Sequence, residues 1–301
     1  MTANSKAIAR SKDYSWPLRR VAGVVVATIA ALAASGTTKA DSQQYSVVAR
    51  VDAKSARLSS GEVVVTIGNI AAPAITIKAN PDIPRNIAIV LDAGPDQAKV
   101  LSKEKDLAVG LINDLAGNGT SFTIAEAGTS IKMQAPTQDR AIAIEQVRDI
   151  TGNSGKRTNV AIYDAIGSVM RQGSVGEGLR IVVFIGEGND GGSKLSYAAL
   201  RDLAESHQVA FFAALIADHS LRGTKSILRY GWKLQDLAGD AAGIFLENQK
   251  TRKATRCVSN GVEGLRLIVF ETPSRPSGRY KVSVTSRPAK RLLTQKAIFI
   301  P

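Results

Sequence analysis

The sequence holds a single cysteine and only two histidines among 301 residues. That excludes a disulfide framework and leaves little material for a Cys/His metal cluster or a Ser-His-Asp triad. Beyond the first 40 residues no apolar stretch reaches 18 residues, so no further segment has the length of a transmembrane helix. Internal repeats and low-complexity tracts are also missing. Hydrophobic residues make up 44% and charged residues 22% of the chain. This is the composition of a folded globular protein, and it excludes wholesale disorder and collagen. The length suits one large domain or two small ones.

What the chain does have is positive charge, unevenly placed. The formal net charge is +13. Residues 1–40 carry six bases against one acid, and residues 248–301 carry twelve against two, while the stretch between is near neutral. The first block reads as an export leader. Basic residues end at Arg19-Arg20, an apolar run follows from Val21 to Ala34, and Thr38 and Ala40 stand at the −3 and −1 positions of a cleavage site before Asp41. This is the layout of a secretory signal peptide over residues 1–40. The run of about 14 residues is short for a membrane span; an uncleaved anchor is the alternative. Val21-Ala22-Gly23 fits a twin-arginine signal poorly. The mature chain is expected in the periplasm or outside the cell, with no transmembrane span after cleavage and with Cys257 buried and inert.

Residues 41–84 are expected to form an N-terminal β segment, since 45–51, 62–67 and 73–78 are short Val/Ile-rich runs separated by turns. After Arg85 the pattern changes. Ile87–Leu91, Leu179–Ile185 and Val209–Ile216 are apolar without alternation, which marks strands buried on both faces of a parallel sheet. Helical stripes lie between and after them, at Leu107/Leu111/Ile112/Leu115, at Ile162/Ala165/Ile166/Val169, at Tyr197/Leu200/Leu203/Ala204 and around 224–238, followed by a strand at 243–246. Residues 85–250 therefore read as an α/β domain with a doubly wound, mainly parallel sheet. Residues 251–301 read as a basic C-terminal β segment, with runs at 265–270 and 280–285, packing back on the N-terminal strands.

Ligands of such a sheet bind at the C-terminal ends of its strands. Two loops there are unusual: Asp92-Ala93-Gly94-Pro95-Asp96, and Gly186-Glu187-Gly188-Asn189-Asp190-Gly191-Gly192. Between them Thr158-Asn159 opens a helix. Asp92, Asp96, Glu187, Asp190 and the Thr158 hydroxyl could converge on one edge. Clustered carboxylates repel unless protonated, separated or neutralised by a cation, and oxygen ligands favour Mg²⁺ or Ca²⁺. Helix capping and loop solvation are the plainer reading. Gly186, Gly188 and Gly191 also outline a dinucleotide fingerprint, but Glu187 and Asp190 stand where a pyrophosphate needs bare N–H groups, so no nucleotide cofactor is expected. His207 and His219 are not expected to be catalytic; Tyr230 and Trp232 are expected to pack a helix on the sheet.

The order of these pieces resembles a von Willebrand factor type A domain. "NIAIVLDAGPD" stands where that family has Asp-x-Ser-x-Ser, "RTNVAIYDAI" where it has a Thr loop, and "LRIVVFIGEGND" where it has an Asp-Gly pair. "DLAGDAAGIF" and "SGRYKVSVT" resemble C-terminal stretches of an exported bacterial subgroup, frequent in acidobacteria. The resemblance covers about residues 45–287. It implies a metal-ion-dependent adhesion site with Asp92, Asp96, Thr158 and Glu187 at the ligand positions. Gly94 replaces the first Ser, Asp96 the second and Glu187 the Asp, so the site is either altered in its cation binding or degenerate; if it binds, Ca²⁺ is expected over Mg²⁺.

Taken together, the sequence implies an exported, non-enzymatic binding or adhesion module that recognises a protein or an anionic envelope component through its strand-end loops. The basic C-terminal segment is either a solvated face or a contact for such a component; nucleic acid is not an expected partner. The competing readings are an exported hydrolase using a carboxylate pair, Asp92 with Glu187 or Asp190, and a structural subunit of an envelope complex.

Overall fold

The computed structural model describes residues 26–28, 42–51, 59–68, 70–79, 82–97, 99–117, 119–152, 159–172, 178–216, 225–273, 278–286 and 291–300. In chain order the strands and helices are β1 (Val26–Thr28), β2 (Ser42–Arg50), β3 (Val63–Ile67), β4 (Ile70–Ala79), β5 (Arg85–Asp92), α1 (Leu101–Leu115), β6 (Thr120–Ala127), β7 (Ile131–Met133), α2 (Arg140–Arg148), α3 (Ile162–Gln172), β8 (Leu179–Gly186), α4 (Tyr197–Ser206), β9 (Val209–Leu215), α5 (Lys225–Asp240), β10 (Phe245–Glu247), α6 (Thr251–Glu263), β11 (Leu265–Pro273), β12 (Gly278–Ser286) and β13 (Arg291–Ile300). Most of the expected leader lies outside the described residues; β1 within it pairs antiparallel with β2.

Six strands form the central sheet in the order β10-β9-β8-β5-β6-β7. All neighbours are parallel except β7, which runs antiparallel to β6. The sheet is the doubly wound kind anticipated from the non-alternating runs. Ile87, Ile89 and Leu91 face one layer with α1, α2 and α6, while Ala88 and Val90 face the other with α3, α4 and α5. Burial on both sides explains why β5, β8 and β9 carry scarcely a polar side chain between their ends. Two of the helices start where a side chain satisfies their first N–H groups. Asp139 accepts from Ala141 and Ile142 to open α2, and Ser196 accepts from Ala199 to open α4.

A second sheet is antiparallel, with the order β1-β2-β11-β4-β3-β12-β13. Here the sequence expectation needs correction. β3 and β4 pair with each other and the C-terminal strands pack on them as expected, but β2 does not join β4 directly: β11 lies between them, pairing Leu265 with Arg50 on one side and Arg266 with Ala79 on the other. β3 then carries β12 on its free edge. Strand burial alternates in β3, as it does where only one sheet face is covered. That face merges with the α1/α6 side of the parallel sheet into one apolar core. Tyr45 and Phe270 pack there with ring centroids 5.9 Å apart. Arg85, at the start of β5, fastens the junction: it donates to Thr120 Oγ1 at 2.9 Å, to the Leu115 carbonyl at 3.0 Å and to Glu263 of α6 at 2.7 Å.

Two side-chain expectations fail. Trp232 does not pack α5 on the sheet; it is 46% exposed, and Leu234, Leu237 and Ala238 fill that role. Cys257 is half-buried on α6 rather than fully enclosed. The side chain of Tyr230, and Asp218 and His219 altogether, lie outside the described residues. β6, β7 and α2 were not expected from the sequence.

Candidate functional site

The chain runs from β5 outward to β6 and then returns to the other side of β5 as β8. The crevice outside the ends of β5 and β8 is therefore the topological switch point, where open α/β sheets bind ligands. Asp92 ends β5 and Glu187 follows the last residue of β8. Both are almost wholly buried, at 3% exposure each.

Backbone amides hold Asp92 in place. Its Oδ1 accepts the Gly94 N–H at 3.1 Å and its Oδ2 accepts the Glu187 N–H at 3.3 Å. The Gly188 N–H also bonds to it; Gly188 adopts φ +81°, a left-handed turn natural to glycine. The two strand ends approach so closely that a Cβ on Gly186 would stand 2.1 Å from that of Asp92. Glu187 Oε2 accepts from Gln97 Nε2 at 3.0 Å, and Gln97 itself ends the short 3₁₀ turn Pro95–Gln97. A cavity of about 10 Å³ opens among Asp92, Gly94, Gln97, Val160, Glu187 and Asn189. That is room for one water-sized species.

Burial raises the Asp92 pKa to about 7, against the pull of the three amides, and the Glu187 charge adds to the rise. A third acid, not expected from the loops, stands behind them. Glu104 in the first turn of α1 is fully buried. Burial, then the charges of Asp92 and Glu187, push its pKa well above the ordinary value. Neither of its carboxylate oxygens has a hydrogen-bond partner among the described residues, and the same holds for Gln97 Oε1. A sequence signal for Glu104 exists. It falls on the apolar stripe of α1 with Leu107, Ala108, Leu111 and Ile112, at i, i+3, i+4, i+7 and i+8.

Of the four anticipated ligands, Asp92 and Glu187 are brought together. Asp96 lies in the 3₁₀ turn with its side chain outside the described residues, and Thr158 lies outside them altogether. Gly94 is more than a missing hydroxyl. A Cβ there would meet Val160 Cγ2 at 2.9 Å and Asp92 Oδ1 at 3.1 Å, so the serine position is closed by packing. Among the described residues no three Asp, Glu, His or Cys side chains group tightly enough to hold a metal ion by themselves. The oxygens at hand, two carboxylates and an amide carbonyl, are hard donors that fit Ca²⁺ or Mg²⁺ in kind.

Asp190 is occupied elsewhere. It accepts the Ile162 N–H at 2.9 Å and the Tyr163 N–H at 3.3 Å, capping α3 across 28 residues, and also accepts the Ser193 hydroxyl. Asp164 of α3 returns the contact by accepting the N–H groups of Lys194 and Leu195 at 2.9 and 2.8 Å. The loop after β8 is thus stitched to α3, with Asp190 serving the helix rather than pointing to the cavity beside Asp92. His207 sits at the opposite end of the parallel strands, between α4 and β9, where its ring nitrogen meets Arg180 at 3.2 Å.

No protein-family profile and no curated protein matches the sequence. Solved structures do match the fold. Proximal thread matrix protein 1 of the mussel byssus, in a structure with a zinc-occupied MIDAS motif, is 13% identical, with 66% of this chain and 50% of that chain covered and a TM-score of 0.51. The von Willebrand factor type A protein of Catenulispora acidiphila is 11% identical, with 88% and 75% covered and a TM-score of 0.49. BatB of Bacteroides thetaiotaomicron is 18% identical, with 59% and 96% covered and a TM-score of 0.49. With its strand order, its helices on both faces and its acidic loops at the switch point, the chain has the von Willebrand factor type A fold.

Proposed function

We propose that this chain is an exported, non-enzymatic binding module that meets a protein or anionic envelope component through the loops after β5 and β8, with a divalent cation, Ca²⁺ ahead of Mg²⁺, seated between them. One observation carries the reading: Asp92 and Glu187 are buried side by side at the switch point, next to a cavity of about 10 Å³. In that proposal Asp92, Glu187, Asp96 and Thr158 hold the ion, and the partner supplies the remaining oxygen. The zinc-occupied motif of the mussel protein supports a cation in this fold. The cavity is too small for a sugar or peptide substrate, which argues against the hydrolase reading. Exposed Lys250, Arg252, Lys253 and Arg256 on and beside α6 favour an anionic partner. Export rests on the leader, and no helix among the described residues is long and apolar enough to cross a membrane.

The test uses residues 41–301, immobilised and exposed to envelope extract in Ca²⁺ or in chelator, beside Asp92→Ala. Capture of a defined component in Ca²⁺, lost in chelator and in the variant, is the expected result. Equal capture by both proteins in chelator would remove the site from the function. Export is checked separately: mass spectrometry of the cell-derived protein should find a start near Asp41, and a cytoplasmic protein retaining Met1 would refute it.

A further inference from the structure

The four family positions do not account for the buried polar groups behind the loops. Glu104 is enclosed completely, in contact with no donor among the described residues. The charges that act on it are those of Asp92 and Glu187, all of one sign. Gln97 is 3% exposed, lines the small cavity, gives its Nε2 to Glu187 and leaves Oε1 without a partner. The orphaned atoms are thus three acceptor oxygens, two on Glu104 and one on Gln97, and both side chains interact with Glu187. A buried acceptor without a donor is costly, and acceptors gathered around the same pair of carboxylates call for a common remedy. Protonating Glu104 is an incomplete one, since the new O–H also lacks a partner and Gln97 Oε1 gains nothing. A cation in the cavity gives Gln97 Oε1 a partner and offsets the negative charge that Asp92, Glu187 and Glu104 bring together.

We propose that the cation site extends inward beyond the loops: Gln97 supplies an uncharged oxygen to the ion, and Glu104 of α1 a buried negative charge behind Asp92 and Glu187. This rests on the cation reading above and adds two residues outside the Asp-x-Ser-x-Ser, Thr and Asp-Gly positions. It also explains how a site whose serine position is closed by Val160 holds an ion at all. Gln97, one residue past the family's second serine position, provides an oxygen from the same loop. Glu104 need not touch the ion; a charge in a low-dielectric interior acts over several ångströms. The ligand class is one hard divalent cation, with water completing its shell.

Calorimetric titration of residues 41–301 with CaCl₂ and MgCl₂, with melting curves in chelator, tests this on wild type, Glu104→Gln and Gln97→Met. Glu104→Gln keeps shape and removes charge. Its Ca²⁺ dissociation constant should rise about tenfold, equivalent to about 1.4 kcal/mol, while its melting temperature in chelator equals or exceeds that of wild type, because like-charge repulsion is relieved. Gln97→Met should also weaken Ca²⁺ binding. If wild type binds Ca²⁺ and both variants bind it equally well, the inward extension is wrong and the loop site stands. If wild type takes up neither ion, the cation reading falls and this inference falls with it.

Discussion

Gly186 and Asp92 lie so close across the β5–β8 switch point that a methyl group on Gly186 would stand 2.1 Å from the Asp92 Cβ. The obstacle is the root of a strand side chain rather than a flexible tip, so it cannot swing aside. Gly186→Ala is expected to destabilise the fold by about 3 kcal/mol, the upper part of the overpacking range, and to displace Asp92 from its amides. Gly239→Ala is the matched control. Position 239 lies in α5 with nothing within 4 Å of where a methyl group would stand, and alanine there should stabilise by about 0.5–1 kcal/mol. Denaturant unfolding of both variants checks the pair; equal stabilities would mean the strand ends are not packed this closely.

The stitch between the β8 loop and α3 predicts a cost for Asp190→Ala. The change leaves the N–H groups of Ile162 and Tyr163 uncapped and frees Ser193. A loss of about 1–2 kcal/mol is expected, with Ca²⁺ affinity little altered because Asp190 serves the helix. A variant as stable as wild type would show that water replaces the cap.

Asp92 makes apo stability fall as pH rises. Its pKa is about 7 in the fold, against an ordinary value of 3.8. Between those values the folded chain keeps a proton that the unfolded chain has released. The stabilisation is complete below about pH 4 and is lost as pH climbs through 7. The span corresponds to a loss on the order of 4 kcal/mol, and Glu104 shifts in the same direction. Urea unfolding in chelator at pH 5 and pH 8 should show the decline for wild type and a shallower one for Asp92→Ala. Parallel profiles would mean that Asp92 is already ionised in the apo fold.

Much of the architecture was legible because burial leaves a local trace. β5, β8 and β9 are covered on both faces, and a strand so placed has no position for polar side chains. β6 escaped notice because Thr120, Ser121 and Thr123 interleave with Phe122 and Ile124, so no continuous apolar run appears. That the C-terminal strands return to the N-terminal ones was anticipated, but the insertion of β11 between β2 and β4 was not, since nothing within a strand states which distant strand it joins. At the site, Asp92 and Glu187 could be placed because strand-end loops declare themselves by position. Glu104 sits in a run of charges, Lys103 to Asp106, that looks solvated. Only its phase against Leu107 and Leu111 distinguishes it from its neighbours.

The basic C-terminal segment predicts a sharp result on truncation. Removing residues 249–301 deletes α6 and β11, leaving β2 and β4 with unpaired inner edges and Arg85 without Glu263. Loss of cooperative unfolding, or insolubility, is expected. Phe270→Ala is the gentler form. It empties a fully buried position against Tyr45 and should cost about 3–5 kcal/mol. A truncated chain melting like the full one would make the segment an independent tail.

The placement of β11 also sets a timetable. As the chain is made from its N-terminus, β2 and β4 emerge early, but the strand that joins them comes only after the whole parallel sheet and α6. Until then Val47, Ala49, Ala72 and Ala74, all interior in the finished protein, have no lasting cover. The parallel sheet can collapse on its own helices during that wait, whereas the antiparallel sheet is completed last and against the entropy of closing a very long loop. Whatever escorts the nascent chain has its work defined by that interval, and a pause in synthesis before Leu265 lengthens the time in which two bare strand edges can find the wrong neighbour.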